Sequence, residues 1–148
     1  MAERFFSTEW AQEIRAAMDQ GPDEEVRAAK LPMYWNWIEH VRATYSASWA
    51  LGVRDLPGSP PTYLMLSWQD GKCAEAAVTT DPAGADYVLI ADLDIWRDLL
   101  AGGDPGRIVM YRGLRLQRGD VLMFFRAIYL FVESIAMIGR VPATAFPS

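Results

Sequence analysis

The chain has 148 residues, about half of them apolar and 22% charged, with a formal net charge of −5. That length suits one domain with a real hydrophobic core, and the ordinary composition excludes a disordered or fibrous chain. An acidic chain is also a poor general nucleic-acid binder, so nucleic acid is not an expected partner. The charge is uneven. Residues 1–104 carry a net of −9, whereas residues 105–148 carry Arg107, Arg112, Arg115, Arg118, Arg126 and Arg140 against only Asp120 and Glu133. This basic last third reads either as a solvated face or as a surface for an anionic head group or membrane. A single cysteine, Cys73, excludes an intrachain disulfide and fits a reducing, cytoplasmic location. Residues 1–30 contain no apolar signal-peptide core.

Ser7 or Thr8 is placed to cap a first helix, in which Trp10, Ile14, Ala17 and Met18 form one apolar stripe. Gly21 and Pro22 stop it, and Pro22 opens a second helix with Asp23, Glu24 and Glu25 early and Arg27 and Lys30 late. Pro32 breaks that helix, and a short aromatic helix is predicted over 33–40. Residues 41–54 then alternate. Val41, Ala43, Tyr45, Ala47, Trp49, Leu51 and Val53 share one face, which predicts a long half-buried strand. A loop over 55–61 leads to a second strand over 62–69. Asp70-Gly71 is a hairpin signal, because the glycine accepts positive φ, and a third strand returns over 72–79. These three strands form an antiparallel meander.

After a loop around Asp81-Pro82-Ala83-Gly84, residues 87–91 read as a short apolar strand. Asp92 is placed to cap a helix with Trp96, Leu99 and Leu100 facing inward, which Gly102 and Gly103 end. Asp104-Pro105 opens another helix that ends at Gly113, and residues 114–118 form a fifth strand. Gly119-Asp120 caps a long last helix with Leu122, Phe125, Ile128, Tyr129, Val132, Ile135 and Ala136 on a broad apolar side. Gly139 and Pro142 end it, leaving residues 140–148 as a loose tail. The run 121–138 is apolar enough to raise a membrane question. Arg126 and Glu133 interrupt it on one face, so it reads as a core or lid helix. The expected fold class is α+β, a five-stranded sheet covered on one face by helices, in a single domain over 1–148 with its core at 7–139.

Chemistry-bearing residues are sparse. His40 is the only histidine, and Cys73 has no evident ligand cluster, so no metal site is expected. No nucleophile motif is present, and no catalytic residue or cofactor is assigned. Asp86, Asp92, Asp104 and Asp120 read as cap and turn residues, and Glu39, Asp86 and Asp92 form an acid pair only if folding joins them. Large adaptable side chains are abundant, with six Trp, six Tyr, six Phe and seven Met. They build either a bulky core or a cavity for an irregular lipophilic ligand. The last helix is apolar nearly all round, more than one sheet face requires. The surplus needs a ligand, a partner chain or the aromatic segment 31–40 to bury it. The candidate ligand-binding residues are Trp49, Trp68, Trp96, Leu116, Phe124, Phe125, Ile128 and Phe131.

The order of Asp70-Gly71, Ala85-Asp86, Trp96 with Leu99 and Leu100, Asp104-Pro105, Gly113-Leu114-Arg115-Leu116 and Gly119-Asp120 resembles the sterol carrier protein 2 family of lipid-binding domains. The likeness is strongest over 63–139. Two departures stand out, the aromatic segment 31–40 before the first strand and arginines at 112, 115 and 118 where many members carry lysine. The resemblance implies a sheet with helices on one side around an apolar tunnel, and a non-catalytic protein that binds or transfers sterols, fatty acyl chains or related lipids. The partner it implies is a lipophilic small molecule. Transient membrane contact and a homodimer are further candidates. The alternative function is an interaction module that dimerises or docks on a partner enzyme through the apolar C-terminal helix.

Overall fold

The structure is a computed structural model that describes residues 3–20, 24–28, 30–56, 60–110, 114–141 and 143–144. In chain order it runs β1 (Glu3–Arg4), α1 (Thr8–Gln20), α2 (Glu24–Ala28), α3 (Pro32–Arg42), β2 (Ala47–Val53), β3 (Thr62–Gln69) and β4 (Lys72–Thr79). Then follow β5 (Tyr87–Ala91), α4 (Leu93–Leu100), α5 (Pro105–Met110), β6 (Arg115–Arg118), α6 (Val121–Arg126), α7 (Ile128–Arg140) and β7 (Ala143–Thr144). The expected role of Pro22 and Asp23 at the second helix, the end of the fifth helix at Gly113, Arg112, the stop at Pro142 and the tail over 145–148 lie outside the described residues.

The five-stranded sheet has the order β4-β3-β2-β5-β6. β2, β3 and β4 form the antiparallel meander, β5 lies parallel to β2, and β6 closes the far edge antiparallel to β5. The β3–β4 turn has both central residues in left-handed conformations, Asp70 at φ 50° and Gly71 at φ 82°. Such a turn matches the natural twist of a hairpin. One sheet face carries Trp49, Leu51, Val53, Leu64, Leu66, Trp68, Tyr87 and Leu89 into the main core against the helices. Three of the expected caps form. Ser7 Oγ accepts from the Trp10 N–H at 3.1 Å, Asp104 from Gly106 at 3.0 Å, and Asp120 from Leu122 at 3.0 Å and Met123 at 3.2 Å.

Several expectations are corrected. The long strand over 41–54 starts only at Ala47, because α3 continues to Arg42. Trp35 and Ile38 bury one helical face. Arg42 then ties the helix end down, donating to the carbonyls of Gly71 at 2.5 Å and Met18 at 3.1 Å. Apolar–polar alternation across 41–46 therefore belonged to a helix end and a turn. β2 is also not half-buried. Ala50 on its other face joins Tyr63, Ala85, Val88 and Ile90 in a second buried cluster. There the Tyr63 ring lies over Gly52, where an added Cβ would sit 2.7 Å from ring carbons.

The last helix is two helices. At Ala127 the backbone turns (φ −105°, ψ 17°), and its N–H is shared among the carbonyls of Met123, Phe124 and Phe125. The break sends Phe124, Ala127 and Phe131 toward the sheet, while Leu122, Phe125 and Tyr129 face solvent. Asp92 occupies the cap position of α4 without a side-chain cap bond. It pairs with Arg54 instead, and Asp55 takes the Leu93 N–H at 2.6 Å. The tail is not loose at its start. Val141 is buried, and β7 pairs in parallel with β1. This strand pair brings Phe5 and Phe6 into the core beside Trp10 and Trp96, ahead of the expected core boundary at residue 7.

Candidate functional site

Four of the eight candidate residues come together between the sheet and α7. Trp49 stacks on Phe131 with ring centroids 4.0 Å apart and planes at 18°, Trp68 lies 5.0 Å from Trp49, and Phe124 lies 4.6 Å from Phe131. Tyr87 extends this stack, with its ring 5.5 Å from Phe131 and 6.3 Å from Phe124. Close offset and edge contacts of this kind are favourable for aromatic quadrupoles. The rings fill the space between sheet and α7 with each other.

The other four lie apart from this cluster's centre. Trp96 sits at the opposite end of the core, 5.2 Å from Phe6, with its indole N–H donating to the Gly52 carbonyl at 2.9 Å. Leu116 on β6 and Ile128 at the start of α7 are half-buried against the core edge. Phe125 touches the Phe124 ring at 5.5 Å but is 53% exposed.

Open space lies beside the stack. A groove of about 670 Å³ runs between the C-terminal end of α3 with the following turn and α6. Its apolar lining includes Trp37, Val41, Tyr45, Tyr87, Met123 and Ala127, and its polar lining includes His40, Asp86, Asp120 and Arg126. None of the eight candidate residues lines it, although Tyr87 connects it to the stack. Both acids already have work: Asp86 accepts from the Ser48 N–H at 2.9 Å, and Asp120 caps α6. Arg126 is exposed and makes no ion pair among the described residues. Burial pushes the Tyr45 and Tyr87 phenols above the ordinary tyrosine range, and at Tyr87 the charges of Asp120 and Asp86 add to the effect. Both rings therefore present neutral, amphipathic walls at neutral pH.

An apolar rim of exposed side chains runs along these helices, with Leu31, Met33 and Trp37 on the α3 side and Val121, Leu122, Met123, Phe125 and Tyr129 on α6 and α7. Of these, Trp37 and Met123 line the groove itself. Exposed apolar side chains gathered in this way mark binding surfaces more often than isolated ones do. The two sides meet where the Tyr34 and Tyr129 rings pack edge-on at 5.2 Å.

A second, much smaller space of about 20 Å³ lies under α3. Met18, Trp35, Ile38, Trp68, Leu130 and Met137 supply its apolar walls. Above it, Glu133 of α7 accepts from the Tyr34 hydroxyl at 2.5 Å and from Lys30 Nζ at 3.0 Å, joining α3 to α7. Burial, followed by the Glu133 hydrogen bond and charge, raises the Tyr34 phenol far above the ordinary range. The buried Trp68 Nε1 has no hydrogen-bond partner among the described residues.

Sequence reasoning missed the groove because its walls come from 37–47, 86–87 and 120–127. One signal was present, however. Residues 121–125 hold five consecutive apolar side chains, which no single helical stripe can bury. Among the described residues no cluster of three or more His, Cys, Asp or Glu is placed to hold a metal ion. No described helix is long and apolar enough to cross a membrane.

No protein-family profile matches the chain, and no curated protein matches it in sequence. Its fold matches solved structures. The crystal structure of sterol carrier protein 2 superposes with a TM-score of 0.71 at 23% identity, covering 93% of this chain and 99% of that one. The solution structure of a conserved hypothetical protein from Thermus thermophilus, described only provisionally as a sterol carrier protein, gives 0.70 at 22% identity, covering 97% and 93%. The chain therefore has the sterol carrier protein 2 fold, as the resemblance in its sequence implied.

Proposed function

We propose that the protein is a non-catalytic carrier of a lipophilic small molecule, held in the groove between α3 and α6. The observation that carries this reading is the groove itself, an unfilled concave surface at which Trp37 of α3 and Met123 of α6 stand exposed. Burying them on a ligand gives roughly 1.5–3 kcal/mol for each large side chain, so three or four contacts offset the ordering of an acyl or ring system. Fold likeness to structures named for sterol carrying supports the same reading. In this proposal Tyr45, Tyr87, Met123 and Ala127 contact the ligand. Phe124 and Phe125 border the site, while Trp49, Trp68 and Phe131 form the rigid backing behind Tyr87. Trp96, Leu116 and Ile128 act through the frame. A cytoplasmic location and a single domain complete the proposal.

Displacement of a fluorescent fatty acid from the purified protein tests it. Met123→Asp with Phe125→Asp is expected to weaken uptake at least tenfold without lowering the melting temperature. Undiminished uptake in that variant, or no uptake by the unmodified protein, overturns the proposal. The exposed α6 side chains also favour a second reading, a docking surface for another chain. Light scattering that shows a dimer, dissociated by the same pair of substitutions while lipid uptake persists, selects that reading.

A further inference from the structure

We infer that the small space under α3 is the closed form of a second binding site, distinct from the groove, for a compact neutral molecule bearing a carbonyl oxygen. Three observations converge on it. The first is the buried Trp68 indole, whose N–H finds no acceptor among the described residues although Trp68 lines the space. A buried donor without a partner is costly, so an acceptor brought to it is rewarded.

The second observation is the chemistry of the other polar groups there. Arg42 is committed to the Gly71 and Met18 carbonyls. Glu133 is committed to Tyr34 and Lys30. Glu39, the third ionic group there, is paired with Arg27 at 3.4 Å, so the open valence is one neutral donor, the Trp68 N–H. A neutral acceptor fits it, whereas an anion would be desolvated beside Glu39 and Glu133.

The third observation is the cover. At about 20 Å³ the space admits one water-sized body, so anything larger requires α3 to move. α3 is built for that. It buries only Trp35 and Ile38, exposes Met33 and Trp37, and its Tyr34 is latched to α7 through the carboxylate of Glu133, while Arg42 anchors its C-terminal end to Gly71 and Met18. Release of the Glu133 latch lets the N-terminal part of α3 lift about the Arg42 anchor, without unstacking Trp49 from Phe131.

Cyclohexanone, titrated against protein with nitrogen-15-labelled indoles, tests the inference, with methylcyclohexane as the shape-matched control. The Trp68 indole N–H resonance is expected to move with saturation on adding the ketone and to stay in place with the hydrocarbon. Loss of the donor in Trp68→Phe is expected to weaken ketone binding about three- to tenfold. Glu133→Gln, which loosens the latch, is expected to tighten it. The groove variant Met123→Asp is expected to leave the Trp68 response unchanged, so failure of the carrier proposal and failure of this one are distinguishable. An unmoved Trp68 resonance at high ketone concentration leaves only a water site and overturns the inference. So does a response that Met123→Asp abolishes, because the ketone then sits in the groove. If Trp68→Phe does not fold, the wild-type resonance and the Glu133→Gln comparison decide the matter.

Discussion

The sheet–α7 interface and the α6–α3 rim are built from the same residue types, yet they meet opposite fates. Phe124 and Phe131 are buried, whereas Phe125 beside them is half-exposed. Trp49 has no exposed surface, whereas Trp37 is 52% exposed. On α6 the difference is one of face, Phe124 toward the sheet and Phe125 away from it, and the break at Ala127 sets which way α6 turns relative to α7. Aromatic content alone therefore marks neither a core nor a site. The backbone decides which rings stabilise the protein and which are left for something else to cover.

The comparison breaks most sharply at Trp49. Trp49→Ala removes the ring stacked on Phe131 and is expected to cost about 3–5 kcal/mol, measured by chemical denaturation. A loss under about 1 kcal/mol would mean that the stack is not the main support of the core. Next comes the latch. Glu133→Ala leaves the Tyr34 hydroxyl and Lys30 without their shared acceptor, with an expected loss of about 2 kcal/mol. Hydrogen exchange should localise that loss to α3.

The same latch predicts an alkaline signature. The Tyr34 phenol is raised in the folded protein, so its protonated form is the one that folding favours. That contribution is full below about pH 10 and declines as pH rises above it. Tyr34→Phe should flatten the alkaline fall of the melting temperature, leaving the part due to Tyr45 and Tyr87. An unchanged alkaline slope would remove Tyr34 from the account.

A smaller effect is expected at the start of α6. Asp120→Ala deletes the cap on Leu122 and Met123 and should cost about 1 kcal/mol. At the rim itself, Leu122→Gln should change stability by no more than about 0.5 kcal/mol, because the side chain is already in water. A large loss there would show that the rim is covered in solution, by a second copy or another partner.

Local signals carried the frame well. Asp70-Gly71 announced the hairpin because only a few residues accept two successive left-handed conformations. Ser7, Asp104 and Asp120 announced helix starts because their oxygens satisfy otherwise unpaired N–H groups. Alternation misled over 41–46, where period two and the end of a helix produce similar short patterns. Asp92 misled in a finer way. It holds the cap position, but Asp55, far away in sequence, makes the cap bond.

The candidate site was less legible. Trp49, Trp68, Phe124 and Phe131 were recognisable as partners, and they do meet. Whether they would enclose a space or fill it depends on ring orientations that no spacing encodes. Trp68 shows both sides of this. Its place on the second strand was legible in the sequence, whereas its burial and its unpartnered N–H depend on what packs against that strand.

By itself, then, the sequence determined most of the elements, the Asp70-Gly71 hairpin, the caps at Ser7, Asp104 and Asp120, and the sheet-and-helix class, because these rest on interactions between residues close in the chain. It also determined that α6 and α7 together carry more apolar surface than one sheet face can bury. Only the tertiary structure decided where the surplus goes. The turn at Ala127, the latch on Glu133 and the convergence of three distant segments on one groove all depend on long-range packing, which places side chains by what they meet rather than by what precedes them.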